Sequence, residues 1–300
     1  MKWGWRFYSF APIPLPAIHP QVFANLPMPI TSEIPIHPVS RETFDKVDAA
    51  VMRCAYESQN HFGRLCEEEV YENDLRARLH ASGFDDVHTQ VELMVSHEGF
   101  HKTYRLDLVV NQVLYELKAT NALTAEHEAQ ALNYAALLGL NRVKLINFGA
   151  PKVQGKLLGT PFGNIDRRNV QIDTSRWEPV SEKCKNLAGW FAEFVRNIGG
   201  YLDTQIYEEG IMWFCGGEDV CLRRLPVRRG SQEMGKHSCR LYSDDRAFVV
   251  TGFQPGNART NYHRQLQSLV SALPIQVFQW INIHHLDVSL VTVRDNRSEV

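Results

Sequence analysis

The stretch RLDLVVNQVLYELKA (residues 105–119) holds two carboxylates and an ammonium at spacings that matter for chemistry. Two apolar-rich runs flank Asn111-Gln112, so the segment reads as a β-hairpin closed by a two-residue turn. That register sets Val110 opposite Val113, Val109 opposite Leu114, Asp107 opposite Glu116 and Arg105 opposite Lys118. Opposed residues share a face, with Cβ atoms about 4.5–5.5 Å apart. Glu116 and Lys118, two apart on one strand, share it as well. The other face, Leu106, Leu108, Val110, Val113, Tyr115 and Leu117, reads as core. Two facing carboxylates repel, and a hard divalent cation with oxygen ligands would relieve them. Equally, Arg105 and Lys118 would neutralise Asp107 and Glu116 as ion pairs on a solvated face. The hairpin alone leaves both readings open.

The flanking segments must position this face. Residues 41–60 and 64–81 read as helices, the second ending before Gly83. VHTQVELMV (87–95) alternates, which puts Val87, Thr89, Val91, Leu93 and Val95 on one face of a strand. AEHEAQALNYAALLG (125–139) reads as a buried helix capped by Thr124 and closed by Gly139, and RVKLINF (142–148) as a fourth strand. At about 100° per residue, Tyr71, Leu75 and Leu79 form one stripe of the second helix. Glu68 falls within it, whereas Glu67 and Glu69 point to either side. An inward glutamate needs a partner. Gln130 and Tyr134, four apart, share a face of the later helix, where a buried amide with its bonds satisfied is the plainer role for Gln130.

Two other motifs dissolve on inspection. His97-Glu98-Gly99-Phe100-His101 spells the H-E-x-x-H zinc-protease signature, which needs a helix to bring both imidazoles to one ion. It lies between two strand patterns with Gly99 at its centre, so it is a hairpin connection. GAPKVQGKL (149–157) follows a strand as a phosphate-binding loop would, but has five residues between its glycines and Leu157 where Ser or Thr is required. Six cysteines include no C-x-x-C pair. They read as reduced thiols of a cytoplasmic protein, with Cys215, Cys221, His237 and Cys239 the one loose group that zinc would suit.

The 300 residues carry a net charge of −2, so a nucleic-acid surface would have to be local. No run approaches the roughly 20 apolar residues of a membrane span. Eight of fourteen prolines fall in residues 1–38, read as an extended or disordered arm with Met28 as an alternative start. Residues 39–155 form the helix–strand set, 156–180 a linker, and 181–300 a smaller α+β unit. In that unit SEKCKNLAGWFAEFVRNIGG is an amphipathic helix with Leu187, Trp190, Phe191, Phe194 and Ile198 as its apolar stripe. Short strands follow, then a helix at 261–273 and a closing hairpin. Residues 39–175 are expected to fold alone. The segment 221–240 sets six cations against Glu233, which suits either a grip on phosphates or a solvated loop. Nothing in the chain signals an oligomeric state.

The ordered set Asp107, Glu116-Leu117-Lys118 and Gln130-x-x-x-Tyr134 resembles the D…E-x-K…Q-x-x-x-Y signature of the PD-(D/E)XK nuclease superfamily. It is most similar to proteins named for a G-x-x-E-x-x-Y motif, through Glu68-x-x-Tyr71, RLDLVV, YELKA, AQALNY and LINFG, over roughly residues 45–155. One departure is Leu65 where that motif has glycine. The resemblance implies an α/β, restriction-endonuclease-like core of helix, three-stranded antiparallel meander, helix and strand. It also implies a nuclease acting on DNA. Mg²⁺ or Mn²⁺ would be held by Asp107, Glu116 and the Leu117 carbonyl, with Glu68 directly or through water. Lys118 would orient the attacking water, and Gln130 and Tyr134 would position Lys118 or a phosphate. The competing expectation is an inactive nuclease fold serving as a nucleic-acid-binding or interaction module.

Overall fold

The computed structural model describes residues 29–162 and 165–295. Most of the proline-rich arm, 1–28, lies outside the described residues. Its last part does not hang free: β1 (Ile30–Ser32) pairs antiparallel with β2, Ile30 against Val95.

Helix α1 (Arg41–Phe62) starts at Ser40, whose hydroxyl accepts from Thr43 N–H at 3.1 Å. Phe44, Val47, Val51, Cys54 and Ala55, at helical spacing, form its buried stripe. Helix α2 (Glu68–Ala81) begins at Glu68, four residues later than the sequence pattern suggests. The meander follows as β2 (Val87–His97), β3 (Phe100–Val110) and β4 (Val113–Lys118). Helix α3 (Ala125–Leu137) crosses over to β5 (Arg142–Asn147), which lies parallel to β4, and β6 (Gln154–Gly159) closes the sheet. The order is β1-β2-β3-β4-β5-β6. Thr124 caps α3 in a reciprocal arrangement with His127.

Both hairpins form at the expected turns, and the Asn111-Gln112 hairpin keeps the expected register as far as Leu108 opposite Tyr115. Glu98 and Gly99 have φ of 45° and 87°, and Asn111 and Gln112 have 44° and 70°; two successive left-handed residues are what a tight two-residue turn needs. His97 therefore opposes Phe100 and points inward, where it bonds Asn197 at 2.8 Å among Trp190 and Phe194. His101 opposes Ser96 on the other face and is exposed. No single ion reaches both imidazoles.

The single-face reading of β2 needs correction. Val87 joins the cluster under α1 and α2, whereas Val91, Leu93 and Val95 join the cluster on the opposite side. On β3, Leu108 and Leu106 part company in the same way. Gln90, between them at φ 54°, breaks the pleat and swaps the faces.

The stretch 156–180 is not a linker. It carries the end of β6 and all of β7 (Gln171–Arg176), which enters a second sheet. Next come α4 (Glu182–Ile198), α5 (Thr204–Phe214), the single turn α6 (Glu218–Cys221), β8 (Leu222–Arg229), β9 (Gln232–Ser243), β10 (Arg246–Thr251), α7 (Asn257–Ala272), β11 (Val277–His284) and β12 (Asp287–Val293). Helix α5 falls where the sequence pattern suggests short strands. The second sheet runs β7-β12-β11-β10-β9-β8.

One continuous core joins the two sheets. It takes Val91, Leu93, Val95 and Leu106 from the first, Phe191, Phe194 and Tyr207 from α4 and α5, and Phe248, Ile281 and Leu290 from the second. Helix α4 covers β2, α5 covers β3, and α3 covers β4 and β5. Polar links cross the same boundary: Lys102 to Glu209 at 2.7 Å, and Asp203 N–H to Asn133 at 2.9 Å. Cutting the chain at 175 would uncover Val91, Leu93, Val95, Phe100 and Leu106, at about 1.5–3 kcal/mol each. Together that is comparable to a typical domain stability of about 5–15 kcal/mol. The 39–175 fragment is therefore expected to be molten or insoluble; near-ultraviolet circular dichroism and dye binding, beside the full chain, check this. A fragment with a cooperative melt would show that the meander needs no roof.

Candidate active site

The β3–β4 ladder runs from Val110 opposite Val113 to Leu108 opposite Tyr115. Past that point β4 turns to pair with β5, Glu116 against Leu145 and Lys118 against Asn147. The two strands fork, and the Asp107 carboxylate takes the place of a ladder carbonyl, accepting Leu117 N–H at 2.8 Å. This brings Asp107 to the level of Glu116 as the hairpin register requires. It leaves Arg105 outside: Arg105 faces Glu92 of β2 at 3.5 Å, both exposed, so it neither pairs with Lys118 nor neutralises Asp107.

Lys118 sits in the fork. Its Nζ donates to Glu116 Oε1 at 2.7 Å and to the Leu117 carbonyl at 2.7 Å. Asp107 Oδ2 lies 3.7 Å away and Glu68 Oε1 3.8 Å away. The four oxygen donors that sequence resemblance implies for a cation thus surround one ammonium. Glu116 is fully buried, and its second oxygen, Oε2, is buried without a hydrogen-bond partner. A buried carboxylate oxygen left unbonded is costly; a cation bridging Asp107 and Glu116 would satisfy it. The residues present therefore fit a hard divalent ion, although among the described residues no three His, Cys, Asp or Glu side chains already stand in ligating geometry. The loose zinc group is separated: Cys215 and Cys221 lie in the core between the sheets, Cys239 in the cluster beneath α7.

Helix α2 brings Glu68 in through its first turn. Tyr71 fixes that end: its ring stacks on Phe148 at 4.4 Å, its hydroxyl donates to the Gly63 carbonyl at 2.7 Å, and it accepts from Cys66 N–H at 3.3 Å. Gly63, at φ 75°, ends α1, so the turn glycine stands two residues before the exposed Leu65. The far end of β4 is held by Asn147, whose side-chain oxygen accepts from Thr120 and Gly149 N–H. Gly149 lies so close to the Thr120 backbone that any Cβ would overlap it.

Helix α3 supplies Gln130 and Tyr134. Gln130 is exposed, not a buried amide, and donates to the Tyr134 hydroxyl at 3.0 Å. Tyr134 is buried, and its hydroxyl feels the charges of Glu116, Asp107 and Lys118. One acid escapes the sequence reading. Glu72, one turn after Glu68, is buried, bonded to Gln90 at 2.5 Å, and within the field of Asp107. The i,i+4 spacing from Glu68 was the available signal.

Burial dominates the protonation of the site. It raises Asp107 above its ordinary range. It carries Glu116 up to about 8, with Asp107 adding repulsion and Lys118 opposing. It raises Glu68 as well. Burial works against the Lys118 ammonium, but Glu116, Asp107 and Glu68 together outweigh it, so its pKa rises and it stays charged.

The element order and this geometry define a PD-(D/E)XK, restriction-endonuclease-like α/β fold. Residues 45–157 match the family model of the PD-(D/E)XK nuclease superfamily. No curated protein and no solved structure matches the chain.

A carboxyl whose folded pKa is raised contributes stability that is fully present below its unfolded pKa. That stability is lost as pH climbs through the folded value. For Glu116 the window runs from the ordinary carboxylate range to about 8, with a slope of up to about 1.4 kcal/mol per pH unit. Without metal, Glu116→Gln is expected to gain stability relative to wild type as pH rises from 5 to 8.5. Manganese is expected to stabilise wild type more at the upper end, where Glu116 is ionised, and to leave the variant unmoved. Thermal melts in EDTA and in millimolar Mn²⁺ across that range measure both. A pH-independent gap between the two proteins would contradict the assignment of burial to Glu116.

Proposed function

We propose that the protein is a divalent-metal-dependent phosphodiester hydrolase of the PD-(D/E)XK type, of the G-x-x-E-x-x-Y kind, that cleaves nucleic acid, and DNA in particular. The observation that carries this reading is the convergence of Glu116 Oε1, the Leu117 carbonyl, Asp107 and Glu68 on one point, with Glu116 Oε2 buried and unbonded beside it. Asp107, Glu116 and the Leu117 carbonyl would hold Mg²⁺ or Mn²⁺, hard ions suited to an all-oxygen set, with Glu68 directly or through water. Bound there, the ion would polarise the scissile phosphate and lower the pKa of the attacking water.

The chain's own groups do the rest. Lys118 must give up its carboxylate contacts to an incoming ion, and its four-carbon stem lets the ammonium turn toward the phosphate side. There it orients water and offsets charge developing on the phosphate oxygens. Its raised pKa keeps it a cation throughout the working range. Gln130, exposed and tied to Tyr134, positions a phosphate or Lys118. Among the described residues no helix is long and apolar enough to cross a membrane. A cytoplasmic place, with all six cysteines free, agrees with action on nucleic acid.

A second reading has one observation behind it. Lys118 already neutralises the acids, so the site is electrostatically closed without metal, as an inactive binding module would require. Cleavage separates the two. Purified protein with Mg²⁺ or Mn²⁺ is expected to cut DNA. Lys118→Ala and Asp107→Asn are each expected to lower the rate by about 100-fold or more, the scale of losing one charge-stabilising group. His101→Ala should change nothing. Cutting that survives the Lys118→Ala/Asp107→Asn double variant would place the activity elsewhere.

A further inference from the structure

The second sheet ends in a two-stranded ribbon. β8 is its edge strand, paired only with β9. β10 accompanies β9 no further than Arg240, so residues 222–239 project beyond the sheet. The root is anchored: Leu225 and Val227 pack on the cluster beneath α7, where Cys239 is buried. The remainder is exposed and basic. Residues 222–240 hold six cations and one acid, in a chain whose net charge is −2.

Four of these cations, Arg224, Arg228, Arg229 and Lys236, are exposed, and their side chains make no ion pair or hydrogen bond among the described residues. The other two differ. Arg240 is engaged by Glu208 at 2.8 Å, and Arg223 donates to the carbonyls of Asp219 and Leu222. Arg224 opposes Ser238 and Pro226 opposes Lys236, so Arg224 and Lys236 stand on the face turned away from Leu225 and Val227. After a register shift at Val227, Arg228 and Arg229 reach the tip beside the Gly230 turn.

Charged side chains and proline also protect an edge strand from pairing with other chains. Either sign of charge serves that purpose, and mixing signs avoids self-repulsion. The ribbon's one acid, Glu233, opposes Arg228 without forming an ion pair, and a run of four cations against it calls for an external anion. A single carboxylate or phosphate would not engage four cations spread along a ribbon; a regular polyanion would. Two strands side by side, about 4.8 Å apart, fit the roughly 12 Å major groove of B-form DNA, whereas the deep, narrow major groove of A-form RNA excludes them.

We propose that the β8–β9 ribbon is a duplex-DNA contact, seated in the major groove with Arg224, Arg228, Arg229 and Lys236 on flanking phosphates. This rests on the nuclease reading for DNA being the substrate; the binding itself is independent of catalysis. It gives the C-terminal unit a role, holding the duplex that the β3–β4 fork would cut.

The test is anisotropy of a short labelled DNA duplex with the full chain in EDTA, across a salt series. The variants are the quadruple Arg224→Gln/Arg228→Gln/Arg229→Gln/Lys236→Gln and one with the three arginines changed to lysine. Each cation on a phosphate adds about 0.9 to the slope of log affinity against log salt, so the quadruple variant should lose about 3–4 from it. Wild type and quadruple variant should differ by about two orders of magnitude more at 50 mM salt than at 200 mM. The lysine variant should retain the slope, and all three proteins should melt alike. Unchanged affinity and slope in the quadruple variant would overturn the proposal, as would equal wild-type affinity for duplex RNA or for polyglutamate. Cleavage is scored apart. A wild type that binds duplex DNA through the ribbon but never cuts defeats the nuclease reading alone. A quadruple variant that cuts duplex DNA at wild-type KM defeats the ribbon alone.

Discussion

The hydrogen bond from Leu117 N–H to Asp107 Oδ2 is the constraint on which the site depends. A ladder carbonyl in that position would continue the β3–β4 pairing and fill the fork with backbone. A carboxylate there ends the pairing, frees β4 to run beside β5, and leaves its own second oxygen available. Everything else at the site is arranged around the opening: Glu116 beneath it, Lys118 in it, Glu68 at its edge from α2, and Tyr134 over it from α3. The face swap at Gln90 occurs at the same level of the sheet, because Gln90 and Asp107 both fall between the Thr89–Leu108 and Val91–Leu106 pairs. A sheet with an unbroken pleat would keep Leu106 and Leu108 in one cluster.

The parts of this arrangement legible in the sequence are those with local causes. Two-residue turns fix register, so Asn111-Gln112 was enough to set Asp107 beside Glu116, and Glu98-Gly99 enough to exclude a helix at His97 and His101. Helical stripes place Glu68 on an inward face and Gln130 with Tyr134 on one face, because 3.6-residue periodicity is a property of the segment itself. What was hidden has nonlocal causes. The pleat break at Gln90 has no composition signal, since glutamine carries no preference for φ 54°. Arg105 goes to Glu92 because β2, not β4, flanks it after the fork. Helix α5 and the roofing of β2 by α4 come from packing between sheets, and an amphipathic stripe such as Leu187, Trp190, Phe191 and Phe194 does not name its partner. The segment 156–180 looked like a linker because β6 and β7 are short, polar strands with mostly exposed side chains.

The layering explains why the C-terminal unit is more than an appendage. The first sheet has α1 and α2 on one side and α3, α4 and α5 on the other. The second sheet lies against those same central helices and carries α7 on its outer face. The meander is dry on both faces only with further cover, because α3 lies over β4 and β5 but not β2 and β3. Helices α4 and α5 supply the missing cover over β2 and β3.

Lysine is the cation that this opening admits. Its ammonium is compact, and its three donors need not lie in one plane, so two short bonds go to Glu116 Oε1 and the Leu117 carbonyl while Asp107 and Glu68 stay within 4 Å. A guanidinium presents a flat fork suited to one carboxylate held edge-on; it would engage Glu116 or Asp107, not the convergence of all four. Without Lys118 the fork would hold three carboxylates around an empty point, and an uncompensated buried charge costs about 3–5 kcal/mol. Folding without a metal therefore depends on Lys118, the residue proposed for catalysis. The ammonium holds the ligand oxygens at one centre, and the strength of that hold is limited by burial, which keeps Glu116 only weakly acidic. Glu116 Oε2 is the oxygen that Lys118 leaves unbonded, so the ammonium is an incomplete fit to the acids around it, and Asp107 and Glu116 would suit a divalent ion with twice its charge.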